Sequence, residues 1–255
     1  MARNIKLTLA YDGHDFAGWQ VQPNRPTIQG TLVSVIEQIT GEKTLPQGSG
    51  RTDAGVHALA QVATVAIESP IPLAGFRKAL NDLLPAAIRV MNAEEVSAEF
   101  HARKSAQAKT YRYRIFRGEI CSPFLARYVY HHPYPLDENP MMEAAPVVTG
   151  EHDFTSFAAV DPERSKEGME INNIRTIYSS EWQRCEYELI YTVRGNGFLH
   201  HMVRNLVGTF LMIGKGNLTG KDLRRILELR DRSAAAATAP ASGLMLVSVE
   251  YGINV

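Results

Sequence analysis

Cysteine is scarce in this sequence, and long apolar runs are absent from it. The 255 residues include two cysteines, Cys121 and Cys185, which lie far apart and outside any CxxC pattern. This usage indicates neither a disulfide framework nor a zinc knuckle, and it favours a reducing cytosol. No stretch approaches eighteen consecutive apolar residues, and the N-terminus lacks the pattern of a secretory signal. We therefore expect a cytoplasmic globular protein with no membrane partner.

Net charge is also absent, because 27 basic residues balance 27 acidic ones. Two segments nevertheless collect cations without any acid. Residues 101–118 contain six lysines and arginines, and residues 194–215 contain Arg194, Arg204 and Lys215 with His200 and His201. A neutral protein with separate basic surfaces can still bind phosphates, so we predict that residues 101–118 contact an RNA backbone.

Periodicity and capping signals predict strands and helices in mixed order. The predicted strands cover residues 5–11, 61–67, 110–116, 182–194 and 244–251. Predicted helices run from an N-cap at Thr27 to Gly41, from residue 73 to just before Pro85, over 141–148 with a kink at Pro146, from Met202 to Gly214, and from a capping box at Thr219 and Asp222. A polar stretch at residues 161–170 is typical of an exposed loop.

This order predicts an α+β fold of two similar domains, in which helices flank a mixed or antiparallel sheet. We expect an N-terminal domain over residues 1–106 that carries the most informative loop. A C-terminal domain over residues 107–255 would complete an active-site cleft between the two.

That loop, residues 48–55, is rich in glycine and is called the glycine-rich loop below. Glycine allows unusual backbone angles and close approach of a ligand. Within the loop, the Asp53 carboxylate could act as a nucleophile and the Arg51 guanidinium could hold a phosphate. Composition alone favours a plain turn in which Asp53 caps a helix or bonds its own backbone. Neither a Walker pattern nor GxGxxG is present here.

Several motifs in the same order as in a known family point to a function. Residues 50–57 (GRTDAGVH) resemble the signature loop of the TruA-type tRNA pseudouridine synthases. Similar matches are YDG at 11–13 followed by Phe16, Gly18, Trp19 and Gln20, then FHAR at 100–103, KTYRY at 109–113, GEHDFTSF at 150–157 and FLHHMVRN at 198–205.

The resemblance implies a role for each matching residue. Asp53 would be the catalytic nucleophile and Arg204 its cationic partner, which would favour the ionised carboxylate. Tyr111 would stack on the flipped uracil, Arg51 would contact RNA where the base leaves the helix, and Leu244 would form an apolar wall of the base pocket. RNA contacts are implied for Phe100, His101, Ala102, Arg103 and Lys104. The family acts on the tRNA anticodon stem-loop at positions 38, 39 and 40 as a homodimer, with neither cofactor nor metal.

Simpler interpretations stand beside these roles. Tyr111 and Tyr113 share a strand face and could both be core, and a helical Arg204 could be solvated. Arg112 and Arg114 could be an ordinary charged strand face. His131–His132 and His200–His201 diverge as neighbours on a strand or helix, so we expect no metal site from either pair.

Two other classes of function are compatible with parts of the sequence. A non-catalytic tRNA-binding or folding factor could use the same basic surfaces. A phosphate-ester hydrolase could use Asp53, but it would need a divalent cation and clustered carboxylates. Asp53 is the only acid between Lys43 and Ala66, which argues against that class.

Overall fold

A computed structural model describes residues 2–160 and 172–252 of the chain. The polar stretch predicted as an exposed loop at 161–170 lies outside these residues. The chain divides into two compact units, one formed by Met1–Lys109 with Met245–Val255 and the other by Thr110–Leu244. In the described ranges, no helix combines the length and the apolar character needed to cross a bilayer.

The first unit combines strands with two helices. Its elements are β1 (Arg3–Tyr11), α1 (Ile28–Thr40), β2 (Gln47–Gly48), β3 (His57–Ile67), α2 (Leu73–Leu83) and β4 (Ile88–Val96). Strand β1 lies between β3 and β4 and is antiparallel to both. The last described strand, β10 (Leu244–Tyr251), pairs in parallel with the start of β3. Strand β2 pairs with β3 antiparallel, opposite Ala63 and Thr64. Buried Ile5, Leu7 and Leu9 alternate along β1 because successive side chains point to opposite faces.

The second unit contains the remaining strands and three helices. Its elements are β5 (Ala106–Phe116), which begins in the first unit, β6 (Tyr130–His131), α3 (Glu138–Ala144), β7 (Gly150–Asp153), β8 (Ile174–Cys185), β9 (Glu188–Gly195), α4 (Met202–Gly214) and α5 (Gly220–Leu229). Strand β8 pairs with β7 and β9 antiparallel, whereas β6 is parallel to β5. The predicted α+β class, with a mixed sheet and flanking helices, is confirmed.

Local signals located most helices correctly. The Thr27 hydroxyl accepts the Gly30 N–H at 3.1 Å at the start of α1, and Gly41 ends that helix with φ 74°. At α5, Thr219 and Asp222 form the predicted capping box, with the Thr219 N–H 2.9 Å from Asp222 Oδ2. Capping depends on residues within one turn, which is why sequence alone reveals it.

Two predictions of secondary structure need correction, and some strands were not predicted. The strand expected over 182–194 is a hairpin of β8 and β9, turned by Glu186 at φ 49° without the glycine or asparagine that usually marks such a turn. Pro146 does not kink a helix over 141–148. Instead α3 ends at Ala144, and a single 3-10 turn (Ala145–Val148) carries the proline near its start. Strands β2, β4, β6 and β7 have no counterpart among the predicted elements.

The predicted division after residue 106 stays a prediction, and the compact units differ from it at both ends. The first unit continues to Lys109 and takes up the chain again at Met245. The physical reason is the pairing of β10 with β3, in which Met245 lies opposite His57. Strand pairing between distant segments cannot be read from one segment alone.

Candidate active site

The glycine-rich loop connects β2 to β3 within the first unit. It begins with the Ser49 N–H donating to the Val62 carbonyl at 2.7 Å, and it closes with the Val56 N–H donating to the Asp53 carbonyl at 3.1 Å. The Asp53 side chain is partly exposed and that of Arg51 is exposed. The backbone turn therefore presents both functional groups to solvent.

Buried polar side chains anchor the first half of this loop. Ser49 donates its hydroxyl to Gln61 Oε1 at 2.6 Å, and Gln61 Nε2 donates to the Gly50 carbonyl at 2.9 Å. Gln61 is 0% exposed and Lys109 Nζ donates to the Ser49 carbonyl at 2.5 Å. Because buried polar groups are costly when unpaired, these bonds tie the loop to β3 in one conformation.

The segment after β1 anchors the second half. Tyr11 and Thr52 share a buried hydrogen bond between their hydroxyls at 2.8 Å, and the Trp19 N–H donates to the Thr52 carbonyl at 3.0 Å. A Cβ placed on Gly18, whose φ is 98°, would lie 2.6 Å from that same carbonyl oxygen. A Cβ on Gly13 would lie 1.9 Å from the Val56 carbonyl oxygen. Residues 11–20 therefore pack against the glycine-rich loop and hold its second half in place.

Tyr111 and Leu244 are placed in the second unit, and both are buried. The Tyr111 ring meets the Phe198 ring edge-on, with 5.0 Å between centroids. Its strand neighbour Tyr113 donates its hydroxyl to the Pro240 carbonyl at 2.8 Å, and a Cβ on Gly243 would lie 2.7 Å from the Tyr113 ring. Burial raises the pKa of Tyr113, which keeps the hydroxyl protonated as a donor.

Arg204 lies on α4, and its side chain is partly exposed. Its Nε donates to the Ala239 carbonyl at 2.8 Å, while the Ala239 N–H donates to the Arg204 carbonyl at 3.1 Å. The guanidinium is therefore held against the segment that precedes β10. The predicted pairing of Arg204 with Asp53 stays a prediction.

The residues expected to contact RNA have different environments. Phe100 packs against Tyr251 at 5.0 Å between centroids, and Ala102, which is also buried, accepts a hydrogen bond from the Tyr251 hydroxyl at 2.8 Å. The side chains of Arg103 and Lys104 are exposed, and the backbone N–H groups of both residues donate to His101 Nδ1. An RNA contact by this segment is thus restricted to its polar side chains.

The cations of residues 101–118 are partly neutralised by acids from other strands and helices. Arg114 binds the Glu188 carboxylate with two hydrogen bonds of 2.7 and 2.6 Å. Arg117 lies 3.2 Å from Glu138 Oε1. The sequence shows no acid in this segment, but strand β9 supplies Glu188 and helix α3 supplies Glu138. Some of the cations that were expected to form a basic surface are consequently paired with acidic side chains of the protein itself.

Of the two histidine pairs, one differs from the expected geometry and the other agrees with it. His201 adopts φ 59° as the N-cap of α4, so His200 and His201 are not consecutive helical residues. Their ring centroids lie 4.0 Å apart, and the expectation that these side chains diverge is wrong. His132 is buried while His131 is partly exposed, as expected for neighbours on a strand.

The first unit thus presents the Asp53 carboxylate on a turn whose backbone is anchored on both sides, an arrangement compatible with covalent catalysis. Known proteins similar to this chain define its class more closely. The family model described as tRNA pseudouridine synthase matches residues 8–103 and 144–252.

Curated relatives cover nearly the whole chain. A "tRNA pseudouridine synthase A" of Solibacter usitatus is 55% identical over 249 residues, which is 98% of this chain and 100% of that protein. Proteins of the same name from Limosilactobacillus reuteri and Brevibacillus brevis are 45% and 43% identical, covering 98% of this chain and 97% and 100% of their own. The chain belongs to the tRNA pseudouridine synthase family, a family of isomerases.

Proposed function

We propose that this chain converts uridine to pseudouridine in the anticodon stem-loop of tRNA, at positions 38, 39 and 40. Asp53 is the nucleophile, and it acts on a uridine flipped out of the stem. The observation that carries the proposal is the anchored glycine-rich loop, in which the backbone on both sides of Asp53 is fixed while its carboxylate reaches solvent. A tRNA substrate and the scarcity of cysteine support a cytoplasmic location of the protein. Cell fractionation tests this location.

The reaction is an isomerisation, and its atoms balance within the nucleotide. The bond from N1 of uracil to the sugar breaks, the base turns, and a bond forms from its C5 to the same sugar carbon. C5 loses a proton and N1 gains one, so no electrons enter or leave. A carboxylate nucleophile is sufficient for such a sequence, and the proposal therefore includes no cofactor and no metal.

The remaining residues take supporting roles in this proposal. Tyr111 stacks on the extruded uracil, and Leu244 forms an apolar wall of the base pocket. Arg51 contacts the RNA at the position from which the uracil is extruded. Arg204 is the cation that favours ionised Asp53. Exposed Arg103 and Lys104 contact the phosphates.

Pseudouridine mapping on tRNA incubated with purified protein tests the proposal. We expect Asp53→Asn to lower product formation by about a thousandfold or more, because the amide cannot act as the nucleophile. Its affinity for tRNA should stay within about threefold of wild type, since phosphate contacts dominate binding. Asp82→Asn, on the exposed face of α2, is the matched control and should behave as wild type.

Each alternative class predicts a different result. Full turnover by Asp53→Asn would show that another group is the nucleophile. Wild-type protein that binds tRNA without making pseudouridine would indicate a non-catalytic binding factor. Phosphate release that depends on a divalent cation would indicate a hydrolase.

We further propose that the chain acts as a homodimer through an apolar surface of the second unit. Ile120, Phe124, Tyr134 and Tyr187 are exposed there, with Phe124 91% exposed. Arg117 connects Tyr134 and Tyr187, because its backbone N–H donates to the Tyr187 carbonyl and its Nη1 to the Tyr134 carbonyl. Exposed apolar patches of this kind mark protein interfaces, and a second copy of the chain is the occupant that we propose.

Sedimentation velocity of the wild-type chain and of Phe124→Ser tests this surface. We expect a dimer for the wild type and a monomer for the variant, because the substitution removes the most exposed apolar side chain of this surface. Leu229→Ser, at the end of α5, is the control and should remain a dimer. A monomeric wild type would contradict the homodimer, and a dimeric Phe124→Ser would place the interface elsewhere.

A further inference from the structure

We propose that Tyr11 and Thr52 are positioning residues, whose shared hydrogen bond sets the orientation of the Asp53 carboxylate for attack. This inference rests on the proposed function, because it assumes that Asp53 is the nucleophile. Neither hydroxyl needs to touch the substrate. Their role is to hold the backbone to which the nucleophile is attached.

The first observation is the place of the bond in the loop. Thr52 directly precedes Asp53, and its side chain is buried while that of Asp53 is partly exposed. The Thr52 hydroxyl lies 2.8 Å from the Tyr11 hydroxyl, and the bond joins residues that are 41 positions apart. The Thr52 side chain is thus fixed to β1, next to the residue that must act on the substrate.

The second observation is that Thr52 is held at both its side chain and its backbone. The Trp19 N–H donates to the Thr52 carbonyl at 3.0 Å, and Gly18 allows the close approach of that carbonyl. Rotation of the peptide between Thr52 and Asp53 would break the Trp19 hydrogen bond, and the bond to Tyr11 keeps the Thr52 side chain itself in place. A catalytic carboxylate must be held within a fraction of an ångström, and such doubly fixed backbone meets that requirement.

The third observation concerns the chemistry of the Tyr11 hydroxyl. Burial raises the pKa of Tyr11 to about 12, and the hydrogen bonds with Thr52 and Gln61 only partly oppose this effect. The hydroxyl therefore stays neutral at physiological pH. A neutral hydroxyl pair holds the loop without placing a charge that would disturb the ionisation of the nearby carboxylate.

Single-turnover and steady-state assays of four variants test the inference. Tyr11→Phe and Thr52→Val each remove one hydroxyl and keep the shape of the side chain. We expect each to lower kcat by about tenfold to a hundredfold and to change KM for tRNA by less than about twofold, because orientation is lost and RNA contacts remain. Thr52→Ser keeps the hydroxyl and should restore most of kcat. The double variant should be no slower than the slower single variant, since both remove the same bond.

The second unit offers a matched control for a general loss of stability. Tyr191 and Ser180 form an equivalent buried bond between hydroxyls, also at 2.8 Å, far from the glycine-rich loop in sequence. Tyr191→Phe should lower the melting temperature about as much as Tyr11→Phe. Its kcat should equal that of wild type when both are assayed well below their melting temperatures.

The outcomes separate this inference from the proposed function. If Asp53→Asn is inactive but Tyr11→Phe and Thr52→Val have wild-type kcat, the positioning role is refuted and the nucleophile stands. Equal loss of kcat in Tyr11→Phe and Tyr191→Phe would also refute it, because stability alone would then explain the effect. Retained activity in Asp53→Asn would overturn the proposed function itself.

Discussion

The two units each bury a polar network, but they build it from different side chains. In the first unit, neutral Gln61 binds Ser49 and Gly50 beneath the glycine-rich loop. In the second unit, Asn205 on α4 accepts from the Thr238 hydroxyl at 2.7 Å and from Arg232 Nη2 at 3.0 Å. Its Nδ2 donates to the Phe157 carbonyl at 2.7 Å. Both amides are 0% exposed, yet only the second holds a guanidinium.

This difference shows how each unit fixes a segment that bears a proposed site residue. In the first network, the central amide of Gln61 has only neutral partners, and the Lys109 ammonium adds a separate bond to the Ser49 carbonyl. The second fixes the segment around residues 232–239 to the helix of Arg204, and a cation can take part because its charge is shared by several acceptors. A buried network that includes a charge is costlier to interrupt than a neutral one.

Replacing the two central amides by leucine is the strongest test of this comparison. Asn205→Leu should lower the free energy of unfolding by about 4 kcal/mol, because it leaves a carbonyl, a hydroxyl and a guanidinium without their partner. Gln61→Leu should cost less, about 2 to 3 kcal/mol, since its partners are neutral. Urea denaturation gives both values, with exposed Asn139→Leu as the control. A larger loss in Gln61→Leu would contradict the ranking.

The two units also share a feature. In each of them, a backbone carbonyl packs closely against a glycine. A Cβ on Gly13 would lie 1.9 Å from the Val56 carbonyl oxygen, and one on Gly208 would lie 2.0 Å from the Ala237 carbonyl oxygen. We expect Gly13→Ala and Gly208→Ala each to lower the free energy of unfolding by about 2 to 3 kcal/mol, because rigid backbone must move.

Gly75→Ala in α2 is the control for these substitutions. The nearest atom to its added Cβ is Ile71 Cγ1 at 3.8 Å, so the change should stabilise the helix by about 0.5 to 1 kcal/mol. Thermal melts of the three variants give the comparison. Wild-type stability in Gly13→Ala would mean that the contact between residues 13 and 56 is looser than the structure shows.

The smallest expected effect separates the units by pH. Burial lowers the pKa of His132 in the second unit below its ordinary value of 6.5, and the nearby charges of Lys215 and Arg117 lower it further. The unfolded chain therefore binds a proton near pH 6.5 while the folded chain does not. Stability from this residue is complete above about pH 6.5 and is lost as the pH falls below it.

His132→Gln should reduce the slope of stability against pH below 6.5, as measured by urea denaturation at several pH values. His14→Gln, an exposed residue of the first unit, is the control. An unchanged slope in His132→Gln would assign the acid sensitivity to other groups.

Local chemistry made part of this architecture predictable. The ends of α1 and α5 follow from Thr27, Gly41, Thr219 and Asp222, and β1 follows from alternation. The hairpin of β8 and β9 escaped prediction because Glu186 takes a left-handed conformation that its residue type does not announce. The motif residues Tyr11 and Lys109 were visible in the sequence, but their contacts with Thr52 and Ser49 were not.

The sequence by itself determined the class of fold, the capped helices and the loop that carries Asp53, because each depends on residues close together in the chain. Only the tertiary structure decided what supports that loop and what neutralises the basic strand. Tyr11 reaches Thr52 across 41 positions, and Arg114 reaches Glu188 across 74. Such partners are set by strand register and packing, which depend on the whole chain at once.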